Sequence, residues 1–198
     1  MTKPTLFFSN NNIPNINCLG LGVFDGIHRG HQQLLNKADA LLTFEPHPVV
    51  VLKDIAVKRL TTSEELLHYV PQLFTLEFTK QTAQMTALEF LNDIILKQIN
   101  PKKIVIGYDY HFGYQREGDI HLLSTWASQN NIEIIEIEPY VYKEQLIKSR
   151  VIRTAITEHD FNQGIDWLGH SYLIKGDVIK GEGRGKNIGF PTANIRVS

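Results

Sequence analysis

Cys18 to His31, CLGLGVFDGIHRGH, decides how the chain folds. Cys18, Leu19, Leu21 and Val23 are apolar, with Gly20 and Gly22 between them, which reads as a buried strand. The strand turns at Phe24-Asp25-Gly26. From Gly30 to Ala40 the string GHQQLLNKADA places Leu34, Leu35 and Ala38 at helical spacing, so a helix is expected there. The order is strand, glycine turn, helix, with His28 and His31 at the helix N-terminus.

That arrangement suits an anion. The first turn of a helix carries unpaired N–H groups and the positive end of the macrodipole. Glycine lets a backbone approach a phosphate without a Cβ in the way. Residues three apart share a helix face, so His28 and His31 can address one ligand. Imidazole donates hydrogen bonds to phosphate oxygens and can carry charge near neutral pH. By spacing alone the pair also suits a metal, or a histidine with no special duty. The string is neither G-x-G-x-x-G at its turn nor G-K-[ST], and no H-E-x-x-H or paired-cysteine pattern accompanies it to support zinc.

The chain has 198 residues, 42% of them hydrophobic, enough for one domain with a sizeable core or one domain and part of another. A net charge of -1 gives no bulk attraction to nucleic acid or to a membrane surface, and neither partner is expected. Cys18 is the single cysteine, which excludes an intrachain disulfide and fits a reducing cytoplasm. No apolar run reaches the ~18 residues of a membrane span, and the N-terminus lacks a signal-peptide core. Oligomeric state is not legible.

Strands and helices alternate along the chain. Leu6–Ser9 reads as a short edge segment before the polar loop NNNIPNIN. Leu41–Phe44 reads as a strand closed by Glu45-Pro46-His47-Pro48, where two prolines stiffen the loop around His47. Thr62 or Ser63 caps a helix opening near Arg59. Leu73–Phe78 reads as a strand, and Thr86 with Glu89 forms a capping-box pattern before Leu88, Leu91, Ile94 and Ile95. There Phe90 is expected to pack in the core rather than meet a ligand. Lys103–Gly107 is a β-branched strand followed by YDYHFG, placing Asp109 and aromatics where open α/β sheets bind ligands. Packing beneath a surface loop is the plainer reading of those aromatics. A helix from Gly118-Asp119 to Asn130 and the strand Ile132–Ile137 follow. Such alternation implies a doubly wound parallel sheet.

Ile147-Lys148-Ser149-Arg150-Val151-Ile152-Arg153 opens another helix, with hydroxyl, N–H and guanidinium donors that suit a phosphate clamp or an ordinary capped helix equally. Helix is expected from Thr154 to Trp167, closing at Leu168-Gly169. Tyr172–Ile179 then alternates like strand. Gly181-Glu182-Gly183-Arg184-Gly185 is glycine-rich, and Gly189-Phe190-Pro191-Thr192-Ala193-Asn194 follows.

Gly22 to His31 resembles the G-x-F-D-G-x-H-x-G-H signature of prokaryotic FAD synthetases, the bifunctional riboflavin kinase/FMN adenylyltransferases. TFEPHP at 43–48, RLT at 59–61, VIGYDYHFG at 105–113 and IKSRVIR at 147–153 resemble later segments of that family, in its order. Lys148 and Arg150 stand where the family carries hydroxyl residues, and His111 where arginine is common. GEGRGKNIGFPTAN at 181–194 resembles the opening of the riboflavin kinase barrel.

The resemblance implies an α/β fold: a Rossmann-like doubly wound parallel sheet of nucleotidyltransferase type over residues 1–165, then the start of a riboflavin kinase β-barrel at 166–198. It implies AMP transfer from ATP to FMN, giving FAD and pyrophosphate. His28, His31 and Arg153 would be catalytic. Gly22, Phe24, Asp25, Gly26, Gly30, Asp109 and Ser149 would bind ATP, and His47 and Phe112 the flavin. Thr192 and Asn194 would hold Mg²⁺ in the kinase domain, whose substrate is riboflavin. Roughly 30 residues cannot close a barrel, so the chain is expected to stop inside that domain, without kinase activity of its own. Two other classes stay open: a flavin- or nucleotide-binding module without turnover, and a nucleotidyltransferase for another acceptor, such as a pantetheine or nicotinamide nucleotide.

Overall fold

The computed structural model describes residues 6–8, 15–158, 160–182, 184–187 and 189–197. Ser9, residues 10–14 of the polar loop and Gly183 lie outside the described residues. A six-stranded sheet forms the frame. Its strands are β1 (Leu6–Phe8), β2 (Cys18–Leu21), β3 (Ala40–Glu45), β4 (Leu73–Glu77), β5 (Lys103–Gly107) and β6 (Glu133–Ile137). Their spatial order is β1-β4-β3-β2-β5-β6, with every neighbouring pair parallel except β1 against β4. The chain winds from β2 outward to β4, then returns to the other side of β2 for β5. The crevice at the carboxyl ends of β2 and β5 is therefore the topological switch point, where open α/β sheets bind ligands.

The central strands are buried on both faces, so successive side chains feed two cores. Leu19, Leu42, Phe74, Ile104 and Ile106 face one core. It is closed by a helix α4 that starts at Ala87–Glu89 and continues in π-helical form over Phe90–Ile99, and by α5 (Ile120–Gln129). Cys18, Leu41, Leu73 and Val105 face the other core, with Leu34 of α1 (Arg29–Leu35) and Leu66 of α3 (Ser63–Leu66). One-turn helix α2 (Pro48–Lys53) lies between β3 and α3. The capping boxes Thr62/Glu65 and Thr86/Glu89 both form.

Several bounds differ from the sequence expectations. Helix α1 ends at Leu35 rather than Ala40, because Asp39 turns its carboxylate to the amides of Asn17 (3.1 Å) and Cys18 (2.8 Å) and Ala40 enters β3. The expected run through Trp167 is two helices, α6 (Ser149–Thr157) and α7 (Phe161–Leu168). The carboxylate of Asp160 caps α7, and Gly169 ends it at φ +76. Leu60, Ile147, Ile152, Trp167 and Leu168 form a third core beneath this pair. A two-stranded ribbon, β7 (Val141–Tyr142) with β8 (Gln145–Leu146), precedes α6.

Past α7, strand structure covers only Gly176–Ile179 (β9) of the expected Tyr172–Ile179. It pairs antiparallel with β10 (Asn194–Val197), and a helical turn, α8 (Arg184–Asn187), occupies the glycine-rich connection. Val178, Phe190 and Ile195 of this segment are exposed.

Leu91 is fully buried between α4 and the sheet. Leu91→Ala is expected to remove about 2–5 kcal/mol of unfolding free energy, read from urea denaturation.

Candidate functional site

The segment from Gly22 to His28 is held in an unusual backbone path. Phe24 (φ 55), Gly26 (φ 95) and Ile27 (φ 43) all lie in the left-handed region. Only glycine enters that region freely, and each other residue costs roughly 1–3 kcal/mol there. Burial offsets the cost: Phe24 and Ile27 are almost wholly enclosed. At Gly26 a Cβ would also stand 2.9 Å from Leu60.

Asp25 pins this loop from inside. Its carboxylate is 3% exposed and accepts hydrogen bonds from the backbone N–H of Leu60 (2.7 Å) and Thr61 (3.2 Å). Its other oxygen accepts from Arg153 of α6, whose Nε donates to the Lys58 carbonyl at 2.6 Å. The Ser149 hydroxyl donates to the Asp25 carbonyl at 2.7 Å, and the Gly26 amide donates to Thr61 Oγ1 at 3.0 Å. The loop, the segment 58–61 between α2 and α3, and α6 thus meet on one residue. The other side is tied by Arg29 and Gln32, which donate to the carbonyls of Asp166 (2.8 Å) and Leu168 (2.9 Å). His170 completes that side, its Nε2 lying 2.9 Å from the Gly26 carbonyl.

His28 and His31 stand together. His28 is the N-cap of α1 and its Nδ1 accepts from the His31 amide at 3.3 Å, leaving the proton of the neutral ring on Nε2. The two rings stack with centroids 3.7 Å apart and planes 17° apart, and Phe24 meets His31 edge-on. Burial pushes the His28 pKa down to about 4, against a smaller upward pull from Asp25. Burial, and then the neighbouring His28, hold His31 well below the usual histidine range. Both rings are neutral at pH 7 in the free protein. The imidazolium that the sequence permits is disfavoured because water cannot reach the charge.

Both rings line the first of two cavities, and His31 also borders the second. The first, about 630 Å³, is walled by Phe44, Phe78, Phe90, Tyr110 and Phe112 and rimmed by Asp109, Lys148 and Ser149. The second, about 680 Å³, has Lys58, Arg150 and Arg153 in its lining. His31, His47, Ser149 and Arg150 border both. His47 caps α2, its Nδ1 accepting from Val49 at 3.1 Å, and burial lowers its pKa. Tyr110 and Phe112 stack at 5.5 Å, and Phe90 meets Phe112 at 5.8 Å. Phe90 is both core and cavity wall.

Of the residues singled out in the sequence, Gly22, Phe24, His28, Gly30, His31, His47, Asp109, Phe112 and Ser149 line the first cavity. Asp25 and Arg153 line the second, but with the Asp25 carboxylate turned to the loop and to Arg153. Gly26 shapes the loop behind them. Thr192 and Asn194 border neither cavity; both are exposed beside β9, near Gly185 and Gly181. Sequence reading missed Lys58, the Leu60 and Thr61 amides, and the 2.8 Å ion pair between Lys148 and Asp109. The charge reversal between those two motif positions was the available signal for the last.

A glycine loop, a histidine pair and cavities at the switch point of an open α/β sheet stand where such folds bind ligands. A family model for FAD synthetase matches residues 11–151, and one for riboflavin kinase matches residues 168–198. The chain belongs to the FAD synthetase family. It is 35% identical over 197 residues to the bifunctional riboflavin kinase/FMN adenylyltransferase of Listeria monocytogenes, covering 91% of this chain and 62% of that protein. It is 32% identical over 193 residues to the protein of the same name from Escherichia coli K12, covering 89% of this chain and 62% of that one. The chain thus spans less than two thirds of these relatives. A solved structure described as a macrolide-efflux protein from Streptococcus pneumoniae superposes with a TM-score of 0.79 at 30% identity, covering 94% of this chain and 66% of that one. Among the described residues, no helix is long and apolar enough to cross a membrane.

The depressed His28 pKa makes stability depend on pH. Unfolded histidine takes a proton near 6.5, whereas folded His28 resists it until about 4. Its contribution is complete above 6.5 and is lost as the pH falls through that interval. In urea unfolding at pH 7 and pH 5, His28→Gln is expected to lose less stability between the two than the parent does; equal losses would contradict the burial argument.

Proposed function

We propose that this chain transfers AMP from ATP to FMN, giving FAD and pyrophosphate. The observation that carries the reading is the stacked, neutral imidazole pair lining an aromatic cavity, with His31 also bordering a basic one. The isoalloxazine ring would lie against Tyr110 and Phe112, with His47 at its edge, since flat aromatic ligands stack on such walls. The polyphosphate would lie where the two cavities meet at Arg150, with Gly22 and Gly30 giving its oxygens backbone access from the first cavity and Lys58 facing it from the second.

An oxygen of the FMN phosphate attacks the α-phosphorus of ATP. The new P–O bond forms as the bond to the β-phosphate oxygen breaks, and pyrophosphate leaves with that electron pair. No side chain becomes covalently attached. His28 offers its Nε2 proton as a hydrogen bond to the phosphate oxygens as charge grows on them, and His31 supports the same position. A neutral donor in a desolvated site gains most when the charge develops, which favours the transition state over bound substrate. Ser149 and Arg153 hold the loop in register through Asp25, so positioning carries much of the barrier.

Mg²⁺ enters this scheme with ATP. Among the described residues, no cluster of three or more His, Cys, Asp or Glu side chains is placed to hold a metal, so the triphosphate would supply most of its ligands. In the second domain, which we place from about residue 166, Thr192 and Asn194 offer one hydroxyl and one amide oxygen. They would add oxygen ligands to a cation already carried by substrate phosphates. Riboflavin phosphorylation is proposed for the complete protein only. ATP and FMN as substrates place the work in the cytoplasm.

The second reading, binding without turnover, draws on the Ser149 and Arg153 donors already engaged with Asp25 and Lys58. Incubation with FMN, ATP and Mg²⁺ separates the two. FAD and pyrophosphate are expected, with His31→Ala slowing the reaction about 10²-fold. No FAD from the full-length protein, together with tight binding of both substrates, would establish the second reading instead.

A further inference from the structure

Two cation–carboxylate pairs join α6 to the cleft, and exposure separates them. In Arg153–Asp25 the carboxylate is 3% exposed and also holds two backbone amides. Withdrawing Arg153 would strand a buried charge, which is costly. In Lys148–Asp109 the ammonium and carboxylate stand 2.8 Å apart with side chains 44% and 55% exposed. Solvated pairs of this kind contribute little to stability, so a polyanion can compete for the lysine at little cost.

The place of that exposed pair matters. Asp109 follows the carboxyl end of β5, and Lys148 is the N-cap of α6, so their contact bridges the mouth of the aromatic cavity that both residues line. Lys148 makes no side-chain cap to its own helix and lies 5.2 Å from the Tyr108 ring centroid. Its bond to Asp109 raises its pKa, so it is cationic at any working pH. Arg150, two residues on, borders both cavities and has no carboxylate partner among the described residues.

We infer that Lys148 is an exchangeable phosphate ligand: Asp109 holds it across the cavity mouth in the free protein, and an entering polyphosphate takes it over. The inference rests on the adenylyl-transfer reading and assigns that site a further contact. Asp109 then opposes the phosphate end of the nucleotide until displaced, and its released carboxylate becomes an acceptor for the nucleoside end.

Inorganic pyrophosphate with Mg²⁺ isolates the phosphate end, because it has no nucleoside for Asp109 to meet. Calorimetric titration of the full-length protein is expected to show Lys148→Met weakening pyrophosphate binding about tenfold. Lys148→Arg, which keeps the charge, should stay within about threefold of the parent, and Asp109→Asn should bind several-fold more tightly because the competitor is gone. Binding by Lys148→Met within about twofold of the parent, or Asp109→Asn no tighter than the parent, would overturn the proposal. These titrations need no turnover. A protein that forms no FAD would lose the catalytic reading and still show whether Lys148 holds phosphate.

Discussion

Everything at the cleft depends on one buried carboxylate. Asp25 gathers the amides of Leu60 and Thr61 and the guanidinium of Arg153, while its own carbonyl takes the Ser149 hydroxyl. A desolvated carboxylate with a missing partner costs about 1–3 kcal/mol or more, so its own loop and the two segments that supply its partners are held together. That convergence keeps Phe24 and Ile27 in backbone conformations they would otherwise leave. It also sets where α6 begins, and hence where Lys148 and Arg150 stand.

The enclosure that fixes the loop also sets its electrostatics. His28 and His31 are packed too tightly to hold a proton at neutral pH, so the positive charge of the site is carried by Lys58, Lys148, Arg150 and Arg153 around the rim. In the proposed reaction the imidazoles would act as oriented dipoles and the cations would supply the attractive field. This division suits a reaction in which negative charge moves among phosphate oxygens without being created outright.

The sheet was largely legible in the sequence because its strands are short apolar runs bounded by glycine, proline and polar turns. The Thr86/Glu89 capping box was legible because it needs only two residues three apart; at the earlier helix the sequence left the cap open between Thr62 and Ser63, and the structure gives Thr62 with Glu65. The end of α1 was not, since it depends on Asp39 reaching back to Asn17 and Cys18. Neither was the π-helical course of Phe90–Ile99, which has no distinct residue signature. At the site, the histidine pair and the Tyr110 and Phe112 part of the aromatic wall could be named from their motifs, whereas Phe90 was expected only in the core and Phe44 and Phe78 were not singled out. The role of Asp25 could not: its partners lie more than thirty residues away in sequence, and only folding shows that its carboxylate is occupied inside the protein. The Lys148–Asp109 pair was hidden for the same reason, two motif positions brought together by the crossover from β5 to α6.

The central claim is that a neutral, stacked imidazole pair receives the phosphates of ATP. Long-range proton–nitrogen NMR of the histidine-labelled protein at pH 7, with and without ATP, tests it most directly. The account predicts uncharged rings for His28 and His31, the His28 proton on Nε2, and movement of both ring signals when ATP is added. Imidazolium signals at pH 7, or rings unmoved by saturating ATP, would contradict it.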